Sequence, residues 1–184
     1  HPRQTAVEAI EHRGKDDARD MWPEAVRVVR ETKPKAFLFE NVKGLTRQSF
    51  ATYFAYIVHQ LTYPDLKPKE GEEWTDHLSK LERHHTAKKT DGLRYRVVFR
   101  VLNAANYGIP HRRERVIFVG FRSDTNIEWS VPKETHNLDA LLWAQRPGGE
   151  YWDRHRVSKK QRALGERFIE RAIRLMEKPV GKPW

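Results

Sequence analysis

Three short apolar runs, separated by stretches with helical periodicity, most narrowly limit what this chain can fold into. AFLF at 36–39 is a continuous apolar run, and RYRVVFRVL at 94–102 and RVIFVGFR at 115–122 are rich in β-branched and aromatic residues. All three read as strands, and AFLF, with no polar residue to alternate, is predicted to be covered on both faces. Ahead of it, DMWPEAVRVVRET at 20–32 sets Trp22, Ala25, Val26 and Val29 at helical spacing. Asp20 is placed to cap that helix, Pro23 is tolerable in its first turn, and Lys33-Pro34 ends it. Helices alternating with buried strands predict an α/β sheet with helices on its faces.

The remaining organisation follows from the same periodicities. Phe50, Tyr53, Phe54, Ile57, Val58 and Leu61 recur every three or four residues, which predicts an amphipathic helix facing the core. From Pro64 to about Gly92 the chain turns polar, with a weaker helix over Trp74 to His84 that carries Leu78 and Leu81, and reads as a peripheral insertion. NAANYGIPHRRE links the last two strands, and its Gly108 and Pro110 mark a loop. Residues 133–157 read as loop with isolated Trp and Tyr. Ser158 to Lys178 reads as a long basic helix with Leu164, Phe168, Ala172 and Met176 on one side. There are no internal repeats and no low-complexity tract.

Composition narrows the class of partner. The 184 residues carry a formal charge of +10, with 33% charged and 38% hydrophobic residues, a mean hydropathy of −0.83 and a pI near 9.9. Six Trp and eight Phe can build a core, which argues against wholesale disorder. The positive charge suits an anionic partner, nucleic acid first among them, and equally a merely basic surface. No apolar run approaches the roughly 18 residues of a membrane helix, and no secretory signal opens the sequence. The expectation is a soluble, cytoplasmic protein with no membrane partner. With no cysteine, disulfides and thiolate-ligated metals are excluded. His77, His84 and His85 lack a regular ligand spacing and are read as structural.

Two constellations can carry chemistry. Glu40 and Asn41 stand at the carboxyl end of AFLF, where ligands bind in open α/β sheets. Partial burial there is expected to raise the pKa of Glu40 and suit it to proton donation. A solvated acid at a strand end is the competing reading. Further on, Tyr107-Gly108-Ile109-Pro110-His111-Arg112-Arg113-Glu114-Arg115 sets Arg113 and Arg115 two residues apart. In an extended segment both would point the same way, each offering a fork of donors to a base carbonyl or a phosphate. A solvated charge cluster competes with that reading.

Taken together and in this order, FLFENVKGL and LNAANYGIPHRRERVIFVG resemble the DNA (cytosine-5) methyltransferase family. That family has a strand ending in Glu-Asn-Val. It later has Asn-Ala-x-x-Tyr-Gly-Ile/Val-Pro-Gln-x-Arg-x-Arg before a strand ending in Val-Gly. RDMWPEAVRVVRETKPK is similar to the helix before its Glu-Asn-Val strand, and the resemblance covers roughly residues 12–122. It implies part of a Rossmann-like S-adenosylmethionine-dependent methyltransferase sheet with helices on both faces. The implied reaction moves a methyl group from S-adenosylmethionine to C5 of a cytosine flipped out of duplex DNA. Position by position, Glu40 matches the residue that contacts and protonates N3, and Asn41 the residue that braces it. Arg113 and Arg115 match the arginines of the later motif, one of which holds the cytosine O2. His111, where the family usually has Gln, and Arg112 fall among the substrate-binding positions. Protonation at N3 stabilises the anion formed by attack at C6, and hydrogen bonds to the pairing edge offset the cost of unstacking the base.

The departures are equally specific. The family's nucleophile lies in Pro-Cys-Gln, and this sequence has no cysteine. Counting back from His12-Arg13-Gly14, one register puts Pro2-Arg3-Gln4 in that place, so that Arg3 would occupy the nucleophile's position, where a guanidinium cannot attack C6; a divergent N-terminus is the equal alternative. The glycine loop that holds S-adenosylmethionine is not recognisable, so the cofactor-binding residues are unknown. The expected organisation is a partial catalytic domain over 1–130 and, over 131–184, a connecting loop and helix leading toward a target-recognition region. Such a fragment would be inactive alone and would need a complementary methyltransferase segment or subunit. Its setting would be bacterial, nucleoid-associated and of restriction-modification type. A non-catalytic nucleic-acid-binding relic and an RNA cytosine methyltransferase are the alternatives.

Overall fold

A computed structural model describes residues 20–88, 91–174 and 176–184. Arg3 and His12-Arg13-Gly14 lie outside the described residues. The chain divides into two compact units, one running to Val101 and resuming over Arg115–Ser130, the other made of Leu102–Glu114 and Val131–Trp184.

The first unit is a mixed assembly of helices and strands. Helix α1 (Trp22–Thr32) has Pro23 in its first turn and ends where Lys33 takes the left-handed conformation. Asp20 does not sit at the cap position, yet its Oδ1 accepts the Trp22 N–H at 3.1 Å. Strand β1 (Ala36–Val42) follows. Helix α2 (Ala51–Thr62) and helix α3 (Trp74–Thr86) separate it from β2 (Tyr95–Asn103), and β3 (Glu114–Arg122) comes next. The sheet order is β1-β3-β2. β1 and β3 are antiparallel, in a register running from Ala36 opposite Phe121 to Val42 opposite Arg115.

That register decides which side chains share a face. Phe37 and Phe39 of β1, with Val116 and Phe118 of β3, turn to one side and meet Trp22, Val26 and Val29 of α1 and Tyr53, Ile57 and Leu61 of α2. The rings interlock, with Trp22 edge-on to Phe118 at 5.0 Å and Phe54 tilted against Phe118 at 5.4 Å. Rings at these spacings and angles are favourable beyond their buried area. The expectation that AFLF is covered on both faces does not hold. Leu38 is 65% exposed and Val42 is exposed beside it, because the core helices of this unit pack on the Phe37 face.

The segment from Pro64 to Gly92 is less peripheral than its polarity suggests. Leu78 and Leu81 of α3 are buried in the same core, and Trp74 packs against it. His77, 2% exposed, is held by Tyr56 Oη on Nδ1 and by the Leu66 carbonyl on Nε2, both at 2.9 Å. His85 Nδ1 meets Tyr63 Oη at 2.8 Å. These histidines tie α3 and its preceding loop to α2.

The second unit contains more structure than the loop-like reading of 133–157 allowed. A short parallel pair joins β4 (His136–Asn137) to β5 (Lys182–Pro183). Helix α4 (Leu138–Ala144) is capped by Asn137, whose Oδ1 accepts the Ala140 N–H at 2.8 Å. Helix α5 (Glu150–Arg154) buries Trp152, whose indole N–H donates to the Gln145 carbonyl at 3.0 Å. Helix α6 (Lys159–Ile173), with Ser158 as its cap, ends short of the expected Lys178. Its apolar side is not the one turned inward. Phe168 is 75% exposed with Leu164 beside it, while Gly165 packs under the Trp152 ring. A ring fits there only because the position has no side chain.

Candidate functional site

Glu40 and Arg115 meet because of strand geometry. Glu40 stands opposite Ile117 and Val42 opposite Arg115, so Glu40 and Arg115 are diagonal neighbours on one face of an antiparallel pair. Diagonal neighbours lie within reach of long side chains, and Arg115 Nε contacts Glu40 Oε1 at 2.9 Å. The expected partial burial of Glu40 is not observed. Its side chain is 43% exposed and that of Arg115 is 26% exposed. The carboxylate is thus oriented by a cation and by a rigid strand rather than by desolvation. Asn41 points to the other side of β1, and its Oδ1 accepts the Val42 N–H at 2.8 Å, which holds the strand end.

A cleft of about 290 Å³ opens beside this pair, lined by Asp20, Met21, Trp22, Phe39, Glu40 and Asn41. Its floor is anchored by Tyr53, whose hydroxyl donates to Asp20 Oδ2. Burial, reinforced by that hydrogen bond to Asp20, holds the Tyr53 hydroxyl far above its ordinary value, so it remains a donor.

The loop carrying the other expected residues belongs to the second unit. Asn103 closes its neck, with Oδ1 accepting the N–H groups of both Ala105 and Arg113 at 3.2 Å. The Ala104 N–H donates to the Arg113 carbonyl at 3.0 Å. Gly108 takes a φ of 89°, and a Cβ there would lie 2.9 Å from Cε1 of His136. Tyr107 Oη donates to the Pro132 carbonyl at 3.0 Å. His111, Arg112 and Arg113 are exposed along this loop. Arg113 immediately precedes β3, and Arg115 lies within it.

Asn103 was not singled out in the sequence, although an Asn ahead of a compact turn is a recognised cap signal. Among the described residues no group of three or more His, Asp or Glu side chains could hold a metal ion. No described helix is long and apolar enough to cross a membrane.

Comparison with known proteins gives this arrangement its context. The sequence profile of the C-5 cytosine-specific DNA methylases matches residues 3–64 and 72–180. The chain belongs to that family. It is 33% identical over 121 residues to the Type II methyltransferase M.NgoMIV of Neisseria gonorrhoeae, covering 65% of this chain and 30% of that protein. It is 35% identical over 136 residues to the Type II methyltransferase M.AquIA of Picosynechococcus, covering 73% and 46%. To M.FnuDI of Fusobacterium nucleatum it is 32% identical over 149 residues, covering 77% and 35%. The chain therefore spans less than half the length of these relatives.

Proposed function

We propose that this chain supplies the base-reading part of a DNA cytosine-5 methyltransferase acting in restriction-modification. The observation that carries the reading is the Glu40–Arg115 pair, 2.9 Å apart on adjacent strands at the mouth of a cleft, in a member of the cytosine-5 family. Cytosine presents an acceptor at N3, an amino donor at N4 and an acceptor at O2. A protonated Glu40 carboxyl donates to N3 and accepts from N4. The Arg115 guanidinium has five N–H donors in a fixed fork, so it can keep one on Glu40 and offer others to O2. When a nucleophile adds at C6, electron density moves to N3, the Glu40 proton follows it, and Arg115 stabilises the carboxylate left behind. Asn41 fixes the strand end from which Glu40 projects, and Arg113, His111 and Arg112 are the further residues this reading assigns to DNA contact.

S-adenosylmethionine supplies the methyl group in this chemistry. The wall of the cleft beside Glu40 holds no glycine, so this cleft does not fit the glycine-loop site expected for that donor, and no step here runs through it. The nucleophile likewise comes from outside this sequence, which holds no cysteine. The three-stranded sheet is then part of a larger Rossmann-like sheet whose second helical layer covers Leu38 and Val42. Residues 131–184 lead toward a target-recognition region, and a complementary methyltransferase segment completes the enzyme. The same lack of cysteine favours a second reading, in which the chain binds duplex DNA without catalysis.

The test joins the chain to a segment bearing Pro-Cys-Gln and a glycine loop and measures methyl transfer to duplex DNA. Glu40→Gln, which keeps the hydrogen bond and removes the proton, is expected to lower the rate by about 10²-fold or more. A Glu40→Gln enzyme as active as its parent overturns the assigned role. A reconstituted parent that binds DNA and never methylates it favours the second reading.

A further inference from the structure

A second cleft, of about 780 Å³, lies between the loop after α2 and one face of α3. His77, Lys80, His84 and Ala87 recur at helical spacing along that face, and Lys67 and Lys69 approach from the loop. The loop is pinned over the helix by the bond from the Leu66 carbonyl to His77 Nε2, so the cleft is built from a buried anchor.

Its charges are unevenly matched. Lys80 is tied to Glu72, which also accepts the Lys69 backbone N–H at 2.8 Å. Asp65 also lines the cleft and accepts the Leu93 N–H at 3.1 Å, so one carboxylate stands against the three cations Lys67, Lys69 and Arg83. Among the described residues the side chains of Lys67, Lys69 and Arg83 enter no ion pair. Arg83 is oriented by its Nε bond to the Ser79 carbonyl at 3.2 Å, which leaves its terminal N–H groups to the cleft. The wall also holds an orphan, His84 Nε2, which is buried without a hydrogen-bond partner, its ring set edge-on to Tyr63 at 4.7 Å. Cations in the last turn of α3 complement the helix dipole, and that alone would account for Arg83 and His84. It gives no reason for Lys67 and Lys69 to face them from the loop. Residues 65–71, which supply those lysines, fall in the gap between the two stretches matched by the family profile.

We propose that this cleft is a phosphate-binding site of this chain, formed by Lys67, Lys69 and Arg83. The ligand is a phosphate group, carried either by a nucleic-acid backbone or by a free phosphate compound. A guanidinium offers paired donors to phosphate oxygens and the lysines act as point charges. The assignment is independent of the cytosine-reading role, so Glu40→Gln should leave it unchanged.

The test uses the whole chain in two assays. One is calorimetric titration with pyrophosphate, and the other is duplex-DNA binding followed by fluorescence anisotropy across a salt series. The cleft variant is Lys67→Gln/Lys69→Gln/Arg83→Gln, and a charge-matched control is Lys159→Gln/Lys160→Gln/Arg167→Gln on α6. The proposal expects the cleft variant, and not the control, to weaken pyrophosphate binding by about tenfold or more, or to reduce the slope of log affinity against log salt by about 1–2. A reduced slope identifies the ligand as backbone phosphate, and lost pyrophosphate binding with an unchanged slope identifies a free phosphate compound. If the cleft variant matches the parent in both assays, or if the control loses as much as the cleft variant, the proposal is overturned.

Discussion

A Cβ on Gly120 would stand 2.1 Å from Cζ of Phe37, its partner across the β1–β3 register. No side chain larger than hydrogen fits unless the Phe37 ring moves, and that ring is held by Tyr95 at 5.2 Å and Phe39 at 5.1 Å. Gly120→Ala is therefore expected to destabilise the chain by about 1–3 kcal/mol, the usual cost of overpacking. Urea unfolding checks this, and adding Phe37→Ala should recover part of the overpacking loss. His77 carries a different prediction. Burial, opposed by its bond to the Leu66 carbonyl, lowers its pKa below the ordinary 6.5, and burial together with the neighbouring His85 lowers that of His59. Below 6.5 the unfolded chain binds protons that the folded chain refuses. The stability these neutral rings allow is complete above that value and falls as pH drops toward the depressed folded values. The melting temperature is expected to fall between about pH 7.5 and about pH 5.5, with a shallower fall in His77→Gln, whose overall stability is also lower. A melting temperature flat across that range would contradict this account. Neither residue was fully legible in the sequence. Glycine in a strand signals a close approach but not which ring approaches, and a histidine in a polar segment carries no sign that its loop will bury it.

At the level of elements, strong periodicity translated directly into structure. The stripe through Tyr53, Ile57 and Leu61 became α2, and the β-branched runs became β2 and β3 within a residue of their expected ends. Faces were harder to read. The spacing of Leu164 and Phe168 fixes that they share a side of α6 but not that the side turns outward, which depends on Gly165 receiving Trp152. AFLF gave the same difficulty, since four apolar residues in a row do not say whether both faces find partners. The loop between β2 and β3 is an element in its own right. Its shape depends on Asn103 accepting two backbone N–H groups, and leaving buried or part-buried donors unsatisfied costs about 1–3 kcal/mol. Asn103→Ala is expected to loosen the loop, raising hydrogen exchange at Ala105 and Arg113 above that of β1 amides. Asn103→Asp, which keeps an acceptor, should restore much of the protection.

For the molecule as a whole, the +10 charge left a nucleic-acid partner and a merely basic surface equally open, and the family match agrees with the first. The ordered pairing of Glu-Asn-Val with the later arginines made the family legible, because each segment alone is a common surface pattern. Sequence could not give the convergence itself. Arg113 and Arg115 lie two residues apart in the chain, and their spacing alone pairs neither with Glu40. Only the register shows that Arg115 is the one set diagonally from Glu40.

That register has a further meaning. Side chains alternate along a strand, so a slip of one residue between β1 and β3 would send Glu40 toward Trp22 and bring Phe39 out to face Arg115. Packing of Phe37 over Gly120 opposes such a slip from the far end of the same strand pair. A glycine remote from Glu40 thus serves as the key of a combination lock. Mutations around it should yield two folded populations, one with Glu40 set beside Arg115 and one with Phe39 there instead, rather than a single uniformly loosened fold.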